Sequence, residues 1–158
     1  MTRIRGGVQL PKDDILIETN GTLDELNAVI GIVRSLLPEA HSWQTLLNDI
    51  QQELLVVMSH IATPEGKTNP KTLHAAELTR RFEQEIDNML TESGIPSGFI
   101  VPNGTQVAAQ LHFARTVARR AERRLCTLRR QQAIANEIIC FMNRLSDLLF
   151  VMAYGKCP

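Results

Sequence analysis

Three arginines in one helix-forming segment are the first residues whose types and spacing suggest chemistry. Arg115, Arg119 and Arg123 stand four residues apart, which places their guanidinium groups on one face of a helix. Like charges at this spacing repel each other by about 0.2–0.5 kcal/mol per pair on an isolated helix. The stripe therefore requires a partner of opposite sign, either acidic side chains on a neighbouring helix or a bound polyphosphate.

Further polar residues accompany these arginines. Glu122 lies inside the cluster, where its carboxylate would orient an arginine, and the NRLSD block places Asn143 and Asp147 in an otherwise apolar segment. An unpaired buried polar group costs about 1–3 kcal/mol, so we expect a ligand or a subunit contact to pair this block. Asp24 is expected in the first turn of the first helix, where the helix dipole favours an acid and where it would aim an arginine.

The histidines and cysteines do not indicate a metal centre. A di-iron carboxylate site in a helical bundle needs a glutamate three residues before a histidine, and none of the four histidines has one. The cysteines are odd in number and share no metal-ligand spacing, so we predict reduced thiols and no resident metal. These cysteines are Cys126, Cys140 and Cys157.

Composition narrows the class of protein. The 158 residues fit one domain over 1–158, and 17 basic and 17 acidic side chains cancel to zero net charge. Balanced charge argues against nucleic-acid or membrane-surface binding, although seven of the 13 arginines lie between 115 and 130. The N-terminus lacks a secretory apolar core and no apolar stretch could span a bilayer, so we predict a cytoplasmic protein.

Hydrophobic periodicity predicts helices and no strands. Residues 1–20 contain glycines, a proline and a polar run, which indicates a loop or arm. Thr22 and Glu25 form a capping box that would begin the first helix. The predicted helices cover about 22–38, 42–61, 71–90, 105–130 and 133–154. Five helices with short connections predict an all-α, ferritin-like, up-and-down five-helix bundle.

Four blocks of the sequence combine residues in an unusually specific way. They are GTLDELNAVIG (21–31), FIVPNGTQ (99–106), LHFARTVARRAERR (111–124) and FMNRLSDLLFVMA (141–153). In order and spacing they resemble the signature blocks of the PduO-type ATP:cob(I)alamin adenosyltransferases, over about Thr2 to Ala153. The resemblance implies a homotrimer of five-helix bundles that transfers the 5'-deoxyadenosyl group of ATP to cob(I)alamin, forming adenosylcobalamin and releasing triphosphate.

The resemblance also assigns roles to residues by position. Phe99 and Phe150 match corrinoid-pocket residues, and Phe99 would help displace the lower axial base of cobalt. Arg115 matches an arginine that forms an intersubunit salt bridge with the aspartate equivalent to Asp24, so these two and Arg119 are the catalytic candidates.

The resemblance also implies a metal ion and protein partners. Mg2+ would share the phosphate charge, and a reductase or an adenosylcobalamin-dependent enzyme would be a partner. The implied ATP-binding residues are Thr2, Arg3, Lys12, Arg119, Arg120, Glu122, Arg123 and Asn143.

One departure from the family pattern leaves an alternative open. The family opens with a loop resembling TRTGDKGTT that wraps the triphosphate, and Thr2 and Arg3 are the last residues here that match that region. The alternative is therefore a non-catalytic trimer that binds ATP or a corrinoid. An RNA-binding protein that uses the arginine face is a third hypothesis, which scarce aromatic residues and balanced charge disfavour.

Overall fold

The chain folds into a helical bundle preceded by a small hairpin. The structure is a computed structural model and describes residues 1–3, 7, 9–94 and 97–155. The helices are α1 Ile15–Leu36, α2 Trp43–Ile61, α3 Ala75–Ser93, α4 Gln106–Leu128 and α5 Asn136–Tyr154. Two short strands, β1 Thr2–Arg3 and β2 Gln9–Leu10, pair in antiparallel fashion. The predicted all-α class is confirmed, with five helices in the predicted order and α2 to α5 within a few residues of the predicted ranges.

The start of α1 differs from the prediction. Residues 1–20 are not wholly a loop, since β1, β2 and the first turns of α1 lie within them. Asp14 is the N-cap, and its side chain accepts a hydrogen bond from the Leu16 backbone N–H at 2.8 Å. The predicted capping box at Thr22 and Glu25 is therefore wrong, because an aspartate two turns earlier already caps the helix.

Thr22 and Asp24 consequently lie in the interior of α1. The Thr22 hydroxyl donates to the Glu18 carbonyl oxygen at 2.8 Å. Threonine makes this bond in the interior of helices, and it does not cap a helix start. Asp24 lies well beyond the first turn, so the expected stabilisation by the helix dipole does not apply to it. Its carboxylate is exposed on the side of α1.

The starts of α3 and α4 are fixed by different caps. The buried Glu53 of α2 accepts a hydrogen bond from the His74 backbone N–H at 2.9 Å, so α3 begins at Ala75 and not near 71 as predicted. Thr105 caps α4 by accepting from the Ala108 N–H at 3.1 Å. Gly104 precedes that cap with a φ of 109°, a backbone conformation that glycine adopts without a steric penalty.

Packing centres on α4. This helix lies against both α1 and α5, while α3 packs on α5 and α2 packs on α1. Burying a leucine or phenylalanine side chain contributes about 1.5–3 kcal/mol, and all five helices supply such residues. α5 is buried on several sides, because α3 and α4 both cover it. In the described parts of the chain, no helix has the length and apolar character needed to cross a membrane. The leucine and phenylalanine side chains that are fully buried in the bundle core include Leu23, Leu54, Phe82, Leu111 and Phe141.

Candidate functional site

The arginines of α4 form two rows, of which one is paired within the chain. Arg120 forms a salt bridge with Glu25, and Arg124 lies 3.4 Å from Glu18. Both acids belong to α1, which packs beside α4. We call Arg120 and Arg124 the paired row. Acidic side chains on a neighbouring helix, one of the two partners that the sequence allowed, neutralise this row.

The second row is the stripe formed by Arg115, Arg119 and Arg123. Arg119 and Arg123 are exposed, and neither side chain makes an ion pair or a hydrogen bond to any residue that the structure describes. Their charges are thus available to a ligand. Arg115 is half-buried, and its Nε is a buried donor without a partner in the described chain.

A cleft lies where the two rows meet. It has a volume of about 260 Å³ and is lined by Arg120, Arg123, Arg124 and Thr127. Planar guanidinium groups bind phosphate oxygens through two parallel hydrogen bonds, and they remain charged at every physiological pH. The cleft is therefore suited to an anion with several phosphate oxygens, and Arg123 is the lining arginine that has no acid beside it in the described residues.

Glu122 does not orient an arginine in the described chain, so that expectation is wrong. Its Oε1 accepts a hydrogen bond from Asn143 Nδ2 at 3.0 Å. The bond joins α4 to α5, which places two residues from separate signature blocks side by side. Both are therefore next to the arginine rows and could contact one ligand together.

The rest of the NRLSD block is also paired within the chain. Arg144 donates to Glu83 at 3.2 Å and to Asp147 at 3.1 Å, and these bonds raise the pKa of the Arg144 guanidinium. Ser146 Oγ donates to the Asn143 carbonyl oxygen at 2.8 Å. The block therefore already has partners within the chain, on α3, α4 and α5, and Asn143 and Arg144 are exposed. The expected contact with a ligand or a subunit stays a prediction.

An aromatic cluster lies nearer the start of α4. The Arg115 guanidinium carbon is 5.8 Å from the centre of the Phe150 ring, within cation–π range. His112 meets the same ring edge-on with 6.4 Å between centroids, and Tyr154 stacks on it at 6.4 Å. We call His112, Arg115, Phe150 and Tyr154 the aromatic cluster. It fixes Phe150, a sequence-predicted site residue, next to the first arginine of the stripe.

His112 is a functional candidate that the sequence did not distinguish from the other three histidines. Its side chain is 4% exposed, and burial, with the nearby Arg115 charge, lowers the pKa of its imidazole. The ring is therefore neutral at neutral pH. The available signal was its position in the LHFARTVARRAERR block, one helical turn before Arg115.

The remaining sequence-predicted residues lie apart from these groups. Phe99 is fully exposed, so it does not contact Phe150 within the chain. Lys12 is exposed in the turn before α1, and Thr2 and Arg3 form β1. Asp24 makes no ion pair with Arg115 among the described residues. Because that pairing was expected between subunits, it stays a prediction.

Comparison with known proteins defines the family. A family model for cobalamin adenosyltransferase matches residues 1–155. A corrinoid adenosyltransferase of Citrobacter freundii is 37% identical over 153 residues, which is 96% of this chain and 86% of the relative. Human corrinoid adenosyltransferase MMAB is also 37% identical over 153 residues, covering 93% of this chain and 61% of the human protein. The chain belongs to the cobalamin adenosyltransferase family.

Solved structures show the same fold. A phenylalanine-to-alanine variant of the PduO-type ATP:corrinoid adenosyltransferase from Lactobacillus reuteri, complexed with cobalamin and ATP, superposes with a TM-score of 0.89. It is 36% identical, and the match covers 97% of this chain and 86% of that chain. An arginine-to-lysine variant of the enzyme from the same organism, complexed with ATP, gives a TM-score of 0.85. The expected family and bundle class are both confirmed.

Proposed function

We propose that this protein is an ATP:corrinoid adenosyltransferase that moves the 5'-deoxyadenosyl group of ATP onto the cobalt of cob(I)alamin. The observation that carries the proposal is that Arg119 and Arg123 of α4 are exposed beside a cleft and have no acidic partner in the described chain, while the aromatic cluster lies nearer the start of the same helix, between α4 and α5. A cationic region on α4 and an aromatic region between α4 and α5 suit a reaction between a triphosphate ester and a large, largely apolar cofactor. The relatives that were crystallised with cobalamin and ATP support this assignment.

The proposed chemistry is a displacement at the ribose C5' carbon. The electron pair of Co(I) forms the cobalt–carbon bond while the C5'–O bond breaks, and triphosphate leaves with the bonding electrons. Negative charge grows on the leaving oxygen, so guanidinium groups already in place stabilise the transition state more than the ground state. No proton is transferred, and no general base is required. Arg119 and Arg123 supply this charge, and Asn143 with Glu122 contacts the nucleotide.

The N-terminal region completes the phosphate site in this proposal. Lys12, Thr2 and Arg3 precede α1, whose N-terminal half carries Glu18 and Glu25 opposite the paired row. These two carboxylates already bond to arginines, so they are not free ligands for a metal. We infer that Mg2+ enters as the MgATP complex, held by the phosphate oxygens, and belongs to the substrate.

The corrinoid would occupy the side of the aromatic cluster. Phe150 offers a ring fixed by its neighbours, and the fully exposed Phe99 offers a second ring from the 97–104 loop. Burial of this ring against a partner surface would contribute about 1.5–3 kcal/mol. We assign that surface to the corrinoid, where Phe99 would displace the lower axial base and leave cobalt easier to reduce.

A homotrimer with active sites between subunits would bring the two regions together. The unpartnered Arg115 Nε and the exposed Asp24 carboxylate are complementary groups that do not meet within one chain. A salt bridge between subunits satisfies both of them. A reductase that supplies Co(I), or an adenosylcobalamin-dependent enzyme that receives the product, would be the protein partner.

One assay separates this proposal from a trimer that binds without turnover. The protein is incubated with MgATP and chemically reduced cobalamin, and the light-sensitive absorption spectrum of adenosylcobalamin is followed. We expect ATP-dependent product that disappears when ATP is omitted. Binding of ATP or corrinoid without product would instead support the non-catalytic alternative.

A further inference from the structure

A second cavity opens where the start of α4 meets the end of α5. Its volume is about 300 Å³, at the lower end of the range of roughly 300–1,000 Å³ for small-molecule sites. Among the residues that the structure describes, no lysine, arginine or carboxylate lines it. The lining residues are Ile100, Asn103, Gly104, Thr105, Ala108, His112, Ala153, Tyr154 and Gly155.

His112 is the buried polar residue on the wall of this cavity. The residue is 4% exposed, and its Nδ1 atom has no hydrogen-bond partner among the described residues. Buried polar atoms in proteins are nearly always paired, and an unpaired one costs about 1–3 kcal/mol. The edge contact with Phe150 holds the ring in place. Because His112 lines the cavity, a ligand that enters it lies against this ring, and we assign it as the partner of the nitrogen.

The polar side chains on the cavity wall favour a ligand group that is neutral and has both hydrogen-bond donors and acceptors. The lowered pKa keeps the imidazole neutral, so one ring nitrogen donates and the other accepts. Asn103 adds an amide with both functions on the exposed side of the cavity. A primary carboxamide matches these groups, because its NH2 donates, its oxygen accepts and it carries no charge.

A phosphate group does not fit this wall. It would need cations on the wall. Arg115, the nearest arginine of the stripe, lies over the Phe150 ring and does not line the cavity. The arginine-lined cleft begins at Arg120, eight residues after His112 and so about 12 Å further along the helix. The cavity instead adjoins Phe150, which the proposed function places against the corrinoid. The rim of the corrin ring of cobalamin carries neutral carboxamide side chains.

We propose that this cavity is a subsite for one carboxamide side chain of the corrinoid, with His112 Nδ1 as its central hydrogen-bonding partner. The inference rests on the proposed function and adds to it a group that selects amide-bearing corrinoids. Removing that nitrogen weakens the binding of a corrinoid with carboxamides, and it leaves the binding of ATP unaffected.

The decisive variant is His112→Phe, which keeps an aromatic ring beside Phe150 and removes both ring nitrogens. With MgATP present, we expect cob(II)alamin to bind about tenfold more weakly, the difference that one buried hydrogen bond makes, and the KM for ATP to stay within about twofold. Asn103→Ala, in an exposed loop, is expected to weaken the same corrinoid by a smaller factor. His74→Phe makes the matched change at an exposed histidine and should alter neither constant.

A ligand-side control uses a corrinoid whose carboxamides are replaced by methyl esters, which lack N–H donors. Wild-type protein should bind it more weakly than cob(II)alamin, and His112→Phe should not weaken it further. Equal binding of both corrinoids by wild type, or equal losses for both in His112→Phe, would overturn the subsite. If His112→Phe does not fold, the ester comparison and Asn103→Ala decide the question. Failure of wild type to bind either corrinoid would instead refute the proposed function, and the subsite with it.

Discussion

The two arginine rows of α4 have the same chemistry and the same scaffold but different surroundings. In the paired row, Arg120 and Arg124 each meet a glutamate of α1. In the stripe, Arg119 and Arg123 meet no acid within the described chain. Exposed ion pairs contribute only about 0–1 kcal/mol, so the paired row has a modest structural role. Cations kept without partners are the ones that a polyanionic substrate can use.

The largest expected effect is the loss of turnover in the Arg119→Ala variant. Loss of one charged group that stabilises a transition state lowers kcat by about 10²–10³-fold. The free energy of unfolding should change by less than about 0.5 kcal/mol, because the side chain is exposed and makes no hydrogen bond or ion pair within the described chain. Turnover equal to that of wild type would mean that the stripe does not contact ATP.

The second effect compares two neighbouring acids of α1. Asp24→Ala should remove the proposed intersubunit partner of Arg115, weaken the trimer and lower activity about tenfold, a loss within the usual range for a charge-assisted hydrogen bond. Glu25→Ala is the matched control, since it removes an acid paired with Arg120 in the same chain. Light scattering after size-exclusion chromatography measures the assembly. Full activity and an intact trimer in Asp24→Ala would contradict the proposed pairing.

The third effect concerns an acid that is paired and buried, far from both rows. Burial raises the pKa of Glu53 above its ordinary value of 4.5, while the hydrogen bond from the His74 N–H opposes that rise. The folded chain thus holds this proton more tightly than the unfolded chain. Stability attributable to Glu53 is therefore greatest at low pH and falls as pH rises through 4.5 towards the raised pKa.

Two substitutions at Glu53 test this. Glu53→Gln keeps an acceptor for the His74 N–H without a charge, so we expect a gain of about 0.5–1 kcal/mol at pH 7 and a flatter pH dependence. Glu53→Ala leaves the N–H unpaired and should cost about 1–3 kcal/mol. Urea titration at pH 4 to 8 measures both. A steeper dependence in the glutamine variant would contradict the assignment.

The smallest expected effect is on stability in Arg124→Ala. Loss of the exposed contact with Glu18 should change the free energy of unfolding by less than about 1 kcal/mol and should matter less at high salt. Thermal melting at low and high salt measures this change. A loss above about 2 kcal/mol would show that the paired row contributes more to the fold than an exposed pair does.

Sequence patterns were sufficient to locate the helices, but they did not identify the hydrogen-bond partners of the polar residues. Apolar residues at helical spacing located α2 to α5 to within a few residues. The start of α1 was missed because Thr22 and Glu25 satisfy a capping pattern that also occurs inside helices, whereas Asp14 provides the actual cap. Local spacing alone cannot distinguish the two.

The partners of Glu122 and His112 depend on which helices pack together. Asn143 lies on α5, 21 residues from Glu122, and nothing in the local sequence indicates that they bond. The importance of His112 became clear only from the structure, in which its Nδ1 is buried without a partner among the described residues and its side chain lines a cavity. The difference between the two arginine rows likewise required the position of α1, because the spacing of the arginines on α4 is the same for both rows.

The central claim is that arginines without an acidic partner bind ATP, whereas the paired arginines are neutralised by α1. Arg123 and Arg124 are adjacent, line one cleft and differ in having an acidic partner. Isothermal titration of MgATP into wild type, Arg123→Ala and Arg124→Ala tests the claim directly. We expect the dissociation constant to rise about tenfold or more in Arg123→Ala, the loss of one charged hydrogen bond, and less than about threefold in Arg124→Ala. Equal constants in all three proteins, or a greater loss in Arg124→Ala, would contradict it.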